Sequence, residues 1–63
     1  MNAFRAVNAK QLDLCLRMLY AEKLQFFVSV VENNKQKIEY RISTPVGEQT
    51  FEKLNERYRI LIS

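Results

Sequence analysis

The stretch that decides the fold is residues 24–43, LQFFVSVVENNKQKIEYRIS. β-Branched and aromatic residues dominate positions 24–32, and such residues favour strands. From about 36 to 43 apolar and polar side chains alternate, the pattern of a strand with one face against a core. The residues between, at 33–35, are Asn-Asn-Lys, which tight turns accept. The stretch therefore predicts an antiparallel β-hairpin.

The two strands of this hairpin differ in their faces. In the second strand Ile38, Tyr40 and Ile42 are predicted to point inward, and the side chains between them are polar. In the first strand both faces carry apolar groups: one face has Leu24, Phe26, Val28 and Val30, and the other has Phe27 and Val31 beside Gln25 and Ser29. A core needs only one of those faces.

A strand and a helix are predicted before the hairpin. Phe4 and Ala6 alternate with more exposed neighbours, which indicates a short first strand. Asn8 is a favourable N-cap residue, and Gln11 three positions later completes a capping box, so a helix is expected at about 9–23. Its inner stripe consists of Leu12, Cys15, Leu16 and Leu19 at helical spacing, and Asp13 can pair with Arg17 at i, i+4.

A second helix and a last strand are predicted after the hairpin. Thr44 and Pro45 end the preceding strand because proline lacks the ladder donor. A helix then runs from about 48 to 57 with Phe51, Leu54 and Tyr58 on its apolar stripe. Residues 58–62, YRILI, alternate in a way that predicts a short terminal strand.

The resulting order, β, α, β, β, α, β, predicts an α+β protein of the ferredoxin-like βαββαβ class, with two helices on one face of a small antiparallel sheet. The alternative is an αββα arrangement, in which residues 1–7 form no strand and 59–63 are disordered or extend the helices. A chain of 63 residues has room for a single domain, 1–63.

Composition limits the chemistry that we expect. The chain has no His, one Cys, one Asp and one Gly, so most catalytic and metal-binding constellations cannot be assembled, and we expect no cofactor, no metal and no enzymatic activity. There is no apolar run of signal-peptide or membrane-span length. We therefore expect a cytoplasmic protein with no membrane contact.

Two kinds of side chain are the nearest candidates for a catalytic role. Cys15 is the one candidate nucleophile, but it lies on the inner stripe of the first helix, where a buried structural thiol is the simpler interpretation. Glu48, Glu52 and Glu56 lie at i, i+4 and i+8 along the second helix, and a row of this kind is typical of a solvated surface.

Apolar residues left over after one core is built predict association. A small domain with no disulfide or metal commonly gains stability from a partner. Leu14, Met18 and Ala21 form a second strip on the first helix, and Phe27 and Val31 lie on the outer face of the sheet. We expect these five residues to form interfaces, most simply in a homodimer, with a further protein partner also possible. The alternative is that they are ordinary isolated surface hydrophobes.

Nucleic-acid binding is the second hypothesis. The formal charge is +3, from ten Lys and Arg against seven Asp and Glu, which permits contact with phosphates without requiring it. An open sheet face with aromatic and basic residues can bind single strands by stacking and ion pairing. The residues predicted for this role are Arg5, Phe27, Lys37, Arg41 and Arg59.

Overall fold

A computed structural model describes residues 2–35 and 37–63, and it shows a three-stranded sheet with two helices. The elements are β1 Asn2–Ala6, α1 Ala9–Ala21, β2 Phe27–Glu32, β3 Ile38–Thr44 and α2 Glu48–Ile62. The predicted α+β class and hairpin are confirmed. The predicted start of the second hairpin strand at residue 36 lies outside the described residues.

The sheet has the order β1-β3-β2, and both outer strands are antiparallel to the central β3. Phe4 and Val28 lie on either side of Ile42, so these three residues share one face of the sheet. Both helices contribute buried residues to the core on that face. The largest buried side chains of the sheet are Phe4, Ile42 and Thr44.

Local sequence accounts for the bounds of α1. Asn8 is the N-cap, and its Oδ1 accepts a hydrogen bond from the Gln11 N–H at 2.8 Å. The Gln11 side chain reaches back as predicted but accepts from the Val7 N–H, one residue before the cap. At the other end the Lys23 N–H donates to the Tyr20 carbonyl, and the chain leaves the helix there. The predicted Asp13–Arg17 pair forms at 2.9 Å.

The predicted terminal strand at residues 58–62 is wrong, because these residues continue α2 to Ile62. Leu54, Tyr58 and Ile62 are spaced by four, and a helix places all three toward the core, whereas a strand would need the chain to leave the helix with no Gly or Pro to end it. The four-stranded sheet therefore does not form. The αββα alternative is correct for this segment but wrong at the start of the chain, where β1 forms.

Residues 58–62 extend α2 beyond its predicted end, and this α2 extension lies against the outer edge of β1. The Tyr58 hydroxyl donates a hydrogen bond of 2.7 Å to the Arg5 carbonyl, and the Tyr58 ring packs edge-on against Phe4. At the helix interface Arg57 forms an ion pair with Glu22, the C-cap residue of α1. These contacts place α2 over β1, which is the edge of the sheet opposite β2.

Candidate functional site

Cys15 is placed as the sequence predicts, in the core with no exposed surface. Burial raises the pKa of its thiol from 9.0 to about 12. The thiol is therefore protonated at neutral pH and is a poor nucleophile. Its contribution in this position is to packing.

The three glutamates of α2 are all exposed, as expected for a solvated row. Beside them is an open depression of about 660 Å³, lined by Glu52, Glu56 and Ile60 among other residues of this one helix. No second element closes it, so it does not enclose a substrate from several sides. Within residues 2–35 and 37–63, no group of three or more His, Cys, Asp or Glu side chains is arranged to hold a metal ion.

The strip predicted on α1 is not an available surface. Met18 is 4% exposed and belongs to the core, and Leu14 is half-buried. Ala21 alone of the three is exposed. The physical reason is that α2 packs beside α1, and a pair of helices covers a flank that one helix on a sheet would leave open. The prediction that Met18 contributes to an interface is therefore corrected.

The other predicted pair is exposed. Phe27 and Val31 both lie on the outer face of the sheet, opposite the helices, and Phe27 is 64% exposed. Each residue of β2 is exposed, from Phe27 to Glu32. An edge strand with no buried residue is unusual in a chain with so small a core, because strands are normally fixed by burying one face.

The hairpin also has exposed apolar side chains on its helix side, and the sequence pattern does not predict their exposure. Val28 and Val30 lie on the same face as the core, but Val30 is 65% exposed, and Ile38 on β3 is 60% exposed. Their alternation correctly predicted the face. It could not predict that both helices would lie over β1, leaving this end of the face uncovered.

We call the exposed apolar side chains of β2 and the start of β3 the hairpin surface. Its members are Phe27, Val28, Val30, Val31 and Ile38. Val28, Val30 and Ile38 are neighbours on the helix side, and Phe27 and Val31 lie on the outer face on either side of Ser29. Concentration on one hairpin distinguishes these residues from the scattered hydrophobes that most proteins expose.

Basic residues are concentrated on the outer face beside this surface. Arg5 lies directly opposite Arg41, and Lys37 continues the same face of β3. Glu39 is the one carboxylate of this face in the described strands, and its Oε2 lies 3.0 Å from Arg5 Nε. Phe27 is on the same face, so four of the five residues predicted for nucleic-acid contact share one face, although Phe27 lies beside Ser43, at the other end of β3 from Lys37.

Arg59 was also predicted to contact nucleic acid, but it does not lie on the outer face of the sheet. It belongs to the last turn of α2, on the helix side of the sheet. The prediction assumed a terminal strand, which would have placed Arg59 in the sheet. As part of a helix it is an exposed cation near a helix C-terminus, where a positive charge is favourable.

In the part of the chain that the structure describes, neither helix combines the length and the apolar character needed to cross a membrane. Comparison with protein-family models, with curated proteins and with solved structures found no match for this chain.

Proposed function

We propose that this chain is a non-enzymatic interaction protein that acts by association through the hairpin surface, most simply as a homodimer. The observation that carries the proposal is the exposure of β2 along its whole length, with apolar side chains on both faces. Removing such surface from water is favourable by about 25 cal/mol per Å² of apolar area. Association offers that stabilisation to a chain with one small core.

A charge placed within the hairpin surface tests the proposal. The Phe27→Lys variant should weaken self-association by about tenfold or more, because a lysine ammonium resists burial in an apolar contact. Ile60→Lys is the matched control, since Ile60 is 70% exposed but lies on α2, away from the hairpin. Light scattering across a concentration series measures both variants against the natural chain.

Two results would contradict the proposal. A natural chain that stays monomeric at every concentration removes the homodimer. Equal weakening by Phe27→Lys and Ile60→Lys would show that general surface charge, and not the hairpin surface, controls association.

Single-stranded nucleic-acid binding is the second candidate, and a specific pair of residues favours it. Arg5 and Arg41 are direct cross-strand neighbours on an uncovered face, and Glu39 on the same face pairs with Arg5, so one carboxylate accompanies two guanidinium groups. A phosphate group would supply the second negative charge, and Phe27 on the same face could stack against a base. Phe27 belongs both to this face and to the hairpin surface, so the two candidate functions share one residue.

Fluorescence anisotropy with a labelled single-stranded oligonucleotide at low salt tests this candidate. Arg41→Gln should weaken binding and make the salt dependence shallower, because one phosphate contact fewer releases fewer counterions. Arg59→Gln is the control and should leave binding nearly unchanged. Absence of any anisotropy change with the natural chain at low salt would refute nucleic-acid binding.

A further inference from the structure

The two edges of the sheet differ in how their backbone groups are used. On the outer edge of β1 the Arg5 carbonyl accepts from the Tyr58 hydroxyl at 2.7 Å. Just beyond the strand, the Val7 N–H donates to the Gln11 side chain at 3.0 Å. Side chains from both helices thus partly occupy this edge. A second strand could pair there only by displacing them.

The edge of β2 is open. The Asn33 N–H donates to the Lys37 carbonyl at 3.0 Å, and these two residues continue the β2–β3 register. Bonded and non-bonded pairs alternate in an antiparallel ladder, so the odd-numbered residues of β2 bond to β3. Val28, Val30 and Glu32 therefore direct their N–H and C=O groups away from the sheet. Among the described residues, no hydrogen bond outside the ladder uses these groups. Such an edge is a template for another strand.

The sequence of β2 is complementary to itself when read in the opposite direction. We propose that two copies of this chain pair edge to edge through β2, antiparallel, about a two-fold axis at Ser29. This inference rests on the proposed function and specifies its partner and geometry. The axis places Phe27 opposite the partner's Val31 and Val28 opposite the partner's Val30.

The register agrees with the direction of the free backbone groups. Val28 and Val30 carry the outward N–H and C=O groups, and the pairing places them opposite the partner's Val30 and the partner's Val28, where they form bonded pairs. No like charges meet, because Glu32 falls opposite the partner's Phe26. Moving the axis to Val30 instead places Glu32 opposite the partner's Val28, which exchanges an apolar cross-strand pair for a carboxylate opposite a valine.

The pair forms one continuous six-stranded antiparallel sheet. A two-fold axis perpendicular to the sheet keeps all four helices on one face and both basic patches on the other. The apolar pairs of the hairpin surface then lie at the centre of the assembly. Each copy thereby gives its uncovered strand a neighbour on both sides.

A cysteine at the axis tests the proposal directly. In the proposed dimer Ser29 faces the partner's Ser29 in a non-bonded pair, with Cα atoms about 4.5 Å apart, which is within the range that a disulfide spans. We expect Ser29→Cys to form a disulfide-linked dimer under mild oxidation, seen by non-reducing electrophoresis and intact mass. The native Cys15 does not compete because it is fully buried.

Ser43→Cys is the matched control. Ser43 lies on the same outer face, directly opposite Phe27, but on β3. In the proposed dimer three strand spacings, about 14 Å, and a shift of four residues along the strands, about 13 Å, separate it from the partner's Ser43, a distance of about 20 Å. This variant should stay unlinked under the conditions that link Ser29→Cys.

The outcomes separate this proposal from the one on which it rests. If the natural chain is dimeric by light scattering but neither Ser29→Cys nor Val30→Cys links faster than Ser43→Cys, pairing through β2 is overturned and association through another surface remains. If the natural chain is monomeric at all concentrations, both proposals fail. A Val30→Cys variant that links while Ser29→Cys does not would overturn the axis at Ser29.

Discussion

Cys15 couples the stability of the fold to alkaline pH. Burial raises the pKa of its thiol from 9.0 to about 12, and burial with the nearby Cys15 charge raises the pKa of the Tyr58 hydroxyl to about 12. Both groups hold their protons more strongly in the folded chain than in the unfolded one. The contribution of the thiol to stability should therefore be complete below pH 9 and fall between about pH 9 and 12, and that of the hydroxyl should fall between about pH 10 and 12, each by up to about 1.4 kcal/mol per pH unit. Urea unfolding midpoints across this range measure the slope.

Cys15→Ala isolates the contribution of the thiol. The substitution should lower the free energy of unfolding by about 1 kcal/mol or more at neutral pH, because it leaves a void in the core. Above pH 9 its stability should fall less steeply than that of the natural chain, since one titrating group is gone. Equal slopes for the two proteins would show that the thiol does not carry this pH dependence.

Among the described residues other than glycine, Lys23 alone has a left-handed backbone, with a φ of 56°. It follows the C-cap of α1, where the Leu24 N–H donates to the Leu19 carbonyl at 3.1 Å, and this geometry favours glycine. Lys23→Gly should raise the free energy of unfolding by about 0.5–1 kcal/mol because a Cβ is disfavoured there. Lys53→Gly, in the exposed middle of α2, should lower it by about 1 kcal/mol. Thermal unfolding compares the two, and a loss of stability in both would contradict the assignment.

At the scale of the elements, the α2 extension is attached to β1 by one hydroxyl. Tyr58→Phe should lower the free energy of unfolding by about 1 kcal/mol, because it removes the bond to the Arg5 carbonyl and keeps the ring. Tyr20→Phe is the control, since Tyr20 is 69% exposed and its hydroxyl has no hydrogen bond to another described residue. Chemical denaturation measures both, and equal effects would show that the Tyr58 hydroxyl does not stabilise the edge.

Those elements that depend on local pattern were predicted well from the sequence. The Asn8 cap and the alternation of Tyr40 and Ile42 each specify structure through neighbours a few residues away. The terminal segment failed because Tyr58 and Ile62 satisfy both a strand alternation and a helical spacing of four. Only contact with β1, distant in sequence, decides between the two.

The candidate site was predicted in part for a related reason. Phe27 was identified because its face of the sheet lacks a helix in any arrangement of this class. The exposure of Val30 and the burial of Met18 depend on where two helices lie across three strands, which is a property of the assembled core and not of either segment. The sequence reveals which faces are apolar but not which of them remain uncovered.

At the scale of the whole molecule, the helices lie toward one edge of the sheet and leave the other edge open. A strand with no fully buried side chain is held mainly by its ladder, and its outward amides are exposed to water. In a monomer the N–H groups of Val28 and Val30 should exchange rapidly with solvent, while those of Ser29 and Val31, bonded to β3, should exchange more slowly.

Edge pairing changes this alternation in a way that no other contact does. When Val28 and Val30 bond to the partner's backbone, their exchange should slow as protein concentration rises, by about tenfold when nine copies in ten are paired. Ser29 and Val31 already have partners within the chain, so their exchange should change much less. Hydrogen exchange followed by NMR at two concentrations resolves the four amides. If light scattering shows dimers while Val28 and Val30 still exchange as in the monomer, the copies associate through a sheet face, and the outward backbone of β2 stays in water.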